Sequence, residues 1–199
     1  LPDGELDTSR GGVTFDVRLS KPGLDGLTAE RLNLNRVSVV GGGWTQCFFE
    51  GCQFWDVTFE DCDLLGTSFT DCGFHRATFT NCRLSATQFP ESVLRHVSLS
   101  GGKADRASFR TAQFDTVLFS RVPLVAADFY GASLTGVEFA SCDLAGATFE
   151  TCRIAGLDLR SSDLAKLPSL RGLGGATIDA MQLIEIAPLL AVELGLNVE

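Results

Sequence analysis

From Leu34 to Leu164 an apolar residue returns at every fifth position without a slip of register. The run passes through Phe49, Phe54, Phe59, Leu64, Phe69, Phe74 and Phe79 and ends on Ile154, Leu159 and Leu164; 23 of its 27 centres are Leu or Phe. Two positions before each centre stands a smaller residue, among them Cys52, Val57, Thr67, Ala77, Ala107, Ala132 and Ala147, while the other three positions are mostly polar, charged or Gly. A period of five suits neither a strand, whose side chains alternate, nor a helix of about 3.6 residues per turn. It suits a chain that turns a corner once per unit and points the centre and the residue two before it inward. Fixed short repeats of this kind stack, so the predicted fold is an all-β solenoid of square cross-section.

Units such as Ala127-Asp128-Phe129, Cys142-Asp143-Leu144 and Ser162-Asp163-Leu164 resemble those of the pentapeptide-repeat family, which read Ala, Asp or Asn, Leu and two variable residues. The resemblance covers about two thirds of the chain, residues 32–166. It implies a right-handed quadrilateral β-helix with four units to a coil, so that 27 units make about seven coils. At about 4.8 Å per coil such a stack is roughly 30 Å tall. No insertion interrupts a unit, which predicts smooth faces without projecting loops. Ala104, preceded by Gly102, and the segment Gly41-Gly42-Gly43 are the two places where the coil is expected to be irregular.

The ends break the pattern. Residues 1–31 read as an N-terminal cap or an irregular first coil, with Val17 and Leu19 as the start of the register. Residues 167–199 read as a loop marked by Pro168, Gly172, Gly174 and Gly175, followed by a short α-helical tail. Asp179 stands at the start of one predicted helix reaching Ile186; Pro188 is expected to open a second, ended by Gly195, since proline suits a first turn and breaks an interior. The tail carries Met181, Leu183, Ile184, Ile186, Leu189, Leu190, Val192, Leu194 and Leu196, too many apolar groups for one helix face. Some should cap the open end of the stack, and the surplus predicts a self-association surface.

Composition fits a single domain with a sizeable core: 199 residues, 45% hydrophobic. The apolar runs are too short to span a bilayer, and the expected setting is the cytoplasm, away from membranes. All seven cysteines (Cys47, Cys52, Cys62, Cys72, Cys82, Cys142, Cys152) lie two before a centre and are expected inside as reduced thiols that behave as small hydrophobes. No C-x-x-C occurs, so no metal site is expected. His75 and His96 fall outside the inward positions, and Gly41–Gly43 lack the Lys and Ser/Thr of a phosphate loop. The reading is therefore non-catalytic, with no cofactor.

What remains is the outer surface. Within the family the resemblance extends to MfpA- and Qnr-type proteins, which mimic duplex DNA, bind DNA gyrase and protect it from quinolones. For this chain that implies DNA gyrase or another type II topoisomerase as partner, antibiotic resistance as outcome, and a homodimer joined by the tail. A net charge of −9 agrees in sign and argues against nucleic acid as a direct partner. Residues 32–166, however, carry only 15 Asp/Glu against 11 Lys/Arg, whereas about 30 Å of duplex carries roughly 18 phosphates.

Grouping units four apart places Glu50, Asp71, Glu91, Asp128 and Glu150 on the face of Phe49 and Phe69, opposed there by Arg110. Arg36, Arg76, Arg95 and Arg153 share the next face with Asp56 and Asp115. A second acidic group, Glu60 and Asp61 with Glu138 and Asp158, lies on the face of Phe59. Glu50, Asp71, Glu91, Asp128, Glu150, Glu60 and Asp61 are thus the candidate partner-binding acids. Two readings stay open: a DNA-mimicking topoisomerase binder, and a non-catalytic scaffold with another partner.

Overall fold

The computed structural model of the chain describes residues 1–197. The five-residue units wind into a right-handed parallel β-helix of about seven turns, followed by one C-terminal helix. Leu34 pairs with Thr14, Phe54 with Leu34 and Phe74 with Phe54, each twenty residues on, so four units close one coil. The first face holds the strands Val13–Phe15, Asn33–Asn35, Gln53–Trp55 and Gly73–His75, and the second holds Arg18–Ser20, Ser38–Val40, Thr58–Glu60 and Thr78–Thr80. In later coils the two faces share eight-residue strands, Val93–Ser100, Gln113–Ser120 and Ser133–Ala140. The third face, around Trp44 and Leu64, is held by single bridges such as Gly43 to Asp63. The fourth, around Phe49, begins with Thr28–Glu30, Phe48–Glu50 and Ser68–Thr70 and continues as bridges at Gln88, Ser108 and Asp128.

Each corner falls on the residue two after a centre, and it takes the left-handed conformation even where it is not glycine, as at Arg76 (φ 53), Glu91 (φ 58) and Thr116 (φ 58). That conformation disfavours L-residues by about 1–2 kcal/mol, so the stack, not local preference, holds the corners.

Inside, equivalent rings pile up. Phe49, Phe69, Phe89, Phe109, Phe129 and Phe149 form an unbroken column with successive centroids 5.1, 5.3, 5.1, 5.0 and 4.9 Å apart. Neighbouring columns meet edge to face, as Phe69 does with Phe74 at 5.2 Å. Such pairs add about 0.5–1.5 kcal/mol beyond area burial.

The smaller inward residues do more than fill space. The hydroxyls of Thr87, Ser92 and Ser162 donate to the carbonyls of Leu64, Phe69 and Phe139 at 2.8, 2.7 and 2.8 Å. The thiols of Cys72, Cys82 and Cys142 make the same bond to Phe49, Phe59 and Phe119 at 3.6, 3.4 and 3.5 Å. All six acceptors lie 23 residues back, at a centre of the preceding coil. Six cysteines are buried, Cys152 is half-buried, and all are free. Burial pushes the Cys142 thiol up and that of Cys152 up to about 11, so both stay protonated donors at neutral pH.

Neither expected irregularity interrupts the ladder. Gly41 N–H donates to the Glu60 carbonyl at 2.7 Å, and Ala104 N–H to that of Pro123 at 2.8 Å. Gly42 (φ +91) and Gly102 (φ +66) replace the small inward side chain, and a Cβ at either would collide with the backbone of the preceding coil, at Pro22 or Cys82. The large Trp44 indole, fully buried, follows the first of these gaps.

The register also starts earlier than the sequence pattern shows, at Thr14, and residues 2–4 pair with Arg18 at the edge of the second face. At the other end, the two predicted helices are one, Ala180–Glu193, with Pro188 inside it. Proline removes the bond to the carbonyl four residues back, here that of Ile184; Ile184 is 66% exposed, on the side of the helix where water can satisfy that carbonyl.

The shared donor geometry makes a distinction that volume alone does not. In urea titration Cys72→Ser should keep an unfolding free energy within about 1 kcal/mol of the parent, because Ser92 already makes this bond, while Cys72→Leu should lose about 1–3 kcal/mol to overpacking. A serine variant less stable than the leucine one would rule out a role for the donor.

A candidate acidic interaction face

The seven acids singled out from the sequence do not share one surface. Glu50 and Glu150 stand in one column on the fourth face, one residue after Phe49 and Phe149, both exposed. Asp71 and Glu91 lie one coil apart at the corner between the fourth face and the first, in the left-handed conformation. Glu60 and Asp61, grouped with Phe59 from the sequence, stand on the second face and its far corner: ten residues from Glu50 is half a coil, which puts them opposite the fourth face. They cannot meet the same flat partner surface as Glu50.

Local structure accounts for part of the acidity. Asp128 accepts from the Tyr130 N–H at 2.9 Å, from Thr148 Oγ1 at 3.0 Å and from Arg110 at 2.6 Å. Burial opposes its ionisation, but these donors hold its carboxyl below the usual range. Asp63, Asp143, Asp158 and Asp163 make the same bond to the N–H two residues on. Asp61 and Asp71 occupy corners whose left-handed backbone Asp tolerates better than most residues. Glu50, Glu91 and Glu150 have no such role and form no ion pair among the described residues. The fourth face also begins one coil earlier than the sequence grouping, with Glu30 paired to Arg10 at 3.0 Å.

The nine apolar tail residues divide as well. Ile186 is buried against the last coil, and Leu189 and Leu190 pack there partly buried. Met181, Leu183, Ile184, Val192, Leu194 and Leu196 are exposed by 49–75%. Ile184, Ala187, Pro188, Ala191, Val192 and Leu196 line an open groove of about 480 Å³.

A residue the sequence reading missed holds the tail in place. Gln182, 4% exposed, donates from Nε2 to the carbonyls of Leu159 and Ser162, both at 2.7 Å, and accepts the Asp179 N–H at 2.9 Å. It satisfies edge carbonyls of the last coil and completes a capping box with Asp179. The spacing of Asp179 and Gln182 was the available signal.

Two family models match this repeat: "Pentapeptide repeats (8 copies)" over residues 47–85 and "Pentapeptide repeat region" over residues 72–149, together just over half of the chain. The chain belongs to the pentapeptide-repeat family. No curated protein sequence matches it. Among solved structures, a trypsin-treated form of QnrB1, a plasmid-mediated fluoroquinolone resistance protein, is 20% identical with a TM-score of 0.43, covering 93% of this chain and 99% of that one. A pentapeptide repeat protein from the Arabidopsis thaliana thylakoid lumen is 23% identical with a TM-score of 0.41, covering 62% and 77%. HetL, involved in heterocyst differentiation regulation in the cyanobacterium Nostoc, is 16% identical with a TM-score of 0.31, covering 85% and 90%.

Within this pentapeptide-repeat chain, no group of His, Cys, Asp and Glu able to hold a metal is present among the described residues. No helix there is long and apolar enough to cross a membrane.

Removing the Gln182 carboxamide leaves the buried Ser162 carbonyl without a donor and that of Leu159 with the Ser162 N–H alone, at 3.2 Å. Gln182→Leu should destabilise the chain by about 1–3 kcal/mol and speed hydrogen exchange in the last coil, at Leu159 to Leu164, before the first coils. Uniform exchange along the chain would show that the cap is not what holds that end.

Proposed function

We propose that this protein is a non-catalytic binding protein whose fourth face engages a type II topoisomerase, DNA gyrase first among them, in the place of DNA, and so shields the enzyme from quinolones or other poisons. The observation that supports this reading is the loop-free fourth face, backed by the unbroken phenylalanine column, with the unpaired carboxylates Glu50 and Glu150 on it and Asp71 and Glu91 along its corner with the first face. A rigid row of anions at fixed pitch suits a basic DNA-binding surface, and solvent-exposed charges steer such encounters in a salt-dependent way. The setting proposed is the cytoplasm.

A second reading, a scaffold for another partner, draws on the neighbouring first face, which carries Arg36, Arg76, Arg95 and Arg153. The deciding experiment is a gyrase supercoiling assay with the protein titrated in, with and without a fluoroquinolone. Inhibition or drug protection that weakens with salt, and that falls by about ten-fold or more in Asp71→Lys/Glu91→Lys, is expected for the topoisomerase reading. No effect at large excess assigns the protein to the scaffold reading.

The exposed tail supports a homodimer. The groove beside Pro188 is apolar, and its helix has a free face on the side away from the coil. Light scattering should give twice the chain mass for the parent and one chain mass for Ile184→Glu/Val192→Glu, with the melting temperature of the repeat nearly unchanged. A monomeric parent would end the dimer proposal without touching the acidic face.

A further inference from the structure

The first face carries a cluster that the acidic-face reading does not use. The rings of Trp55 and His75 stack at 3.8 Å and 10°. Arg95 is paired in register with His75, so the column continues as Trp55, His75, Arg95. At the adjoining corner Arg76 lies 5.8 Å from the Trp55 ring and binds Asp56 through two nitrogens at 2.6 and 2.7 Å. His96 follows Arg76 at the same corner in the next coil. Beside the column Gly73 leaves a flat floor, across which the Gln53 carboxamide lies.

The charge around His75 is one-sided. Burial holds its imidazole below the usual range, and Arg95, Arg76 and His96 push in the same direction. Asp56, at the same corner one coil before Arg76, is committed to Arg76. Arg95 forms no ion pair among the described residues, although Asp115 is its register neighbour in the next coil. An aromatic ledge thus adjoins Arg95, a cation without an ion pair among the described residues, and the Arg76 guanidinium that Asp56 holds in place.

We propose that Trp55, His75 and Arg95, flanked by Arg76 and His96, form a docking site for a short carboxylate-rich segment of a partner protein. Arg95 offers a planar fork to one carboxylate. A protonated His75 lying on the Trp55 face is favoured by the ring and offers the next contact. The patch favours a short acidic peptide over a nucleic acid strand. Its cations span only a few coils, Asp16, Asp56 and Asp115 interrupt the same face, and Asp71 and Glu91 line its border, so a continuous phosphate backbone would run into repulsion on leaving it. This site does not depend on the topoisomerase reading.

The chain has two tryptophans, and Trp44 is fully buried, so Trp55 reports on this site. The full chain is titrated with a labelled synthetic Asp/Glu-rich peptide, following tryptophan fluorescence and peptide anisotropy together, with a Lys-rich peptide and a single-stranded oligonucleotide as comparators. The expected result is saturable binding of the acidic peptide with a change in Trp55 emission, weakened about ten-fold or more in Arg95→Glu and unchanged in Glu50→Lys. Binding an anion beside His75 takes up a proton, so affinity should rise as pH falls into the imidazole range and below it, where the free His75 ring titrates, and His75→Gln should lose that rise. Absence of binding overturns the proposal, as does an affinity unaffected by Arg95→Glu. Tighter binding of the oligonucleotide through the same residues would assign the patch to nucleic acid instead.

Discussion

Each coil holds the next through a main-chain ladder of fixed stride. Donors reach nineteen residues ahead, as Asp16 does to Asn35, or twenty-one behind, as Asn33 does to Gly12, and the pattern repeats until the last coil, where Gly146 reaches twenty ahead to Lys166 and Leu159 eighteen ahead to Thr177. Because the stride is constant up to that last coil, each side chain before it meets its own equivalent in the neighbouring coil. Inside, this turns a preference for phenylalanine into continuous stacks; outside, it turns single substitutions into columns. Arg36 binds Asp16 in two places and Arg76 binds Asp56 in the same way, so one corner alternates in sign. At the corner before it, the same rule forces Asp71 beside Glu91, a like-charge pair that the ladder imposes and local energetics oppose.

The ladder also explains which residue types recur. A corner in the left-handed conformation admits Asp and Asn at lower cost than most residues, and an Asp before a centre bonds the N–H two residues on. Acidity in this chain therefore has two sources. Asp61, Asp71, Asp128 and Asp143 answer to the backbone, whereas Glu50, Glu91 and Glu150 do not. Counting carboxylates in the sequence merges the two sets.

The five-residue period made the coil, its inward positions and the placement of the cysteines legible, because period and burial are the same fact in a solenoid. The first coil was hidden because its centre is Thr14, flanked by Val13 and Phe15, which are 54% and 60% exposed and reverse the expected pattern. The single tail helix was hidden because Pro188 breaks a helix in general, and only the exposure of Ile184 shows why it does not here. The candidate acids were partly legible. Their columns follow from counting in twenties, but the opposition of Glu60 to Glu50 needs half-coil geometry. The Trp55, His75 and Arg95 column has the same spacing of twenty. It was missed because only its arginines were counted, as charges on a face.

Charge density sets what an acidic face of this kind can do. From Glu50 to Glu150 is five coils, about 24 Å, and the four free carboxylates there stand about one per 6 Å, against one phosphate per about 1.7 Å in duplex DNA. A tail-to-tail dimer would lengthen the row without raising that density. On the proposed reading, binding in the place of DNA would therefore come from the placement of a few carboxylates on a stiff surface, rather than from the strength of its field. The phenylalanine column behind that face supplies the rigidity. Such recognition should be more sensitive to the position of Glu91 than to the net charge of the chain.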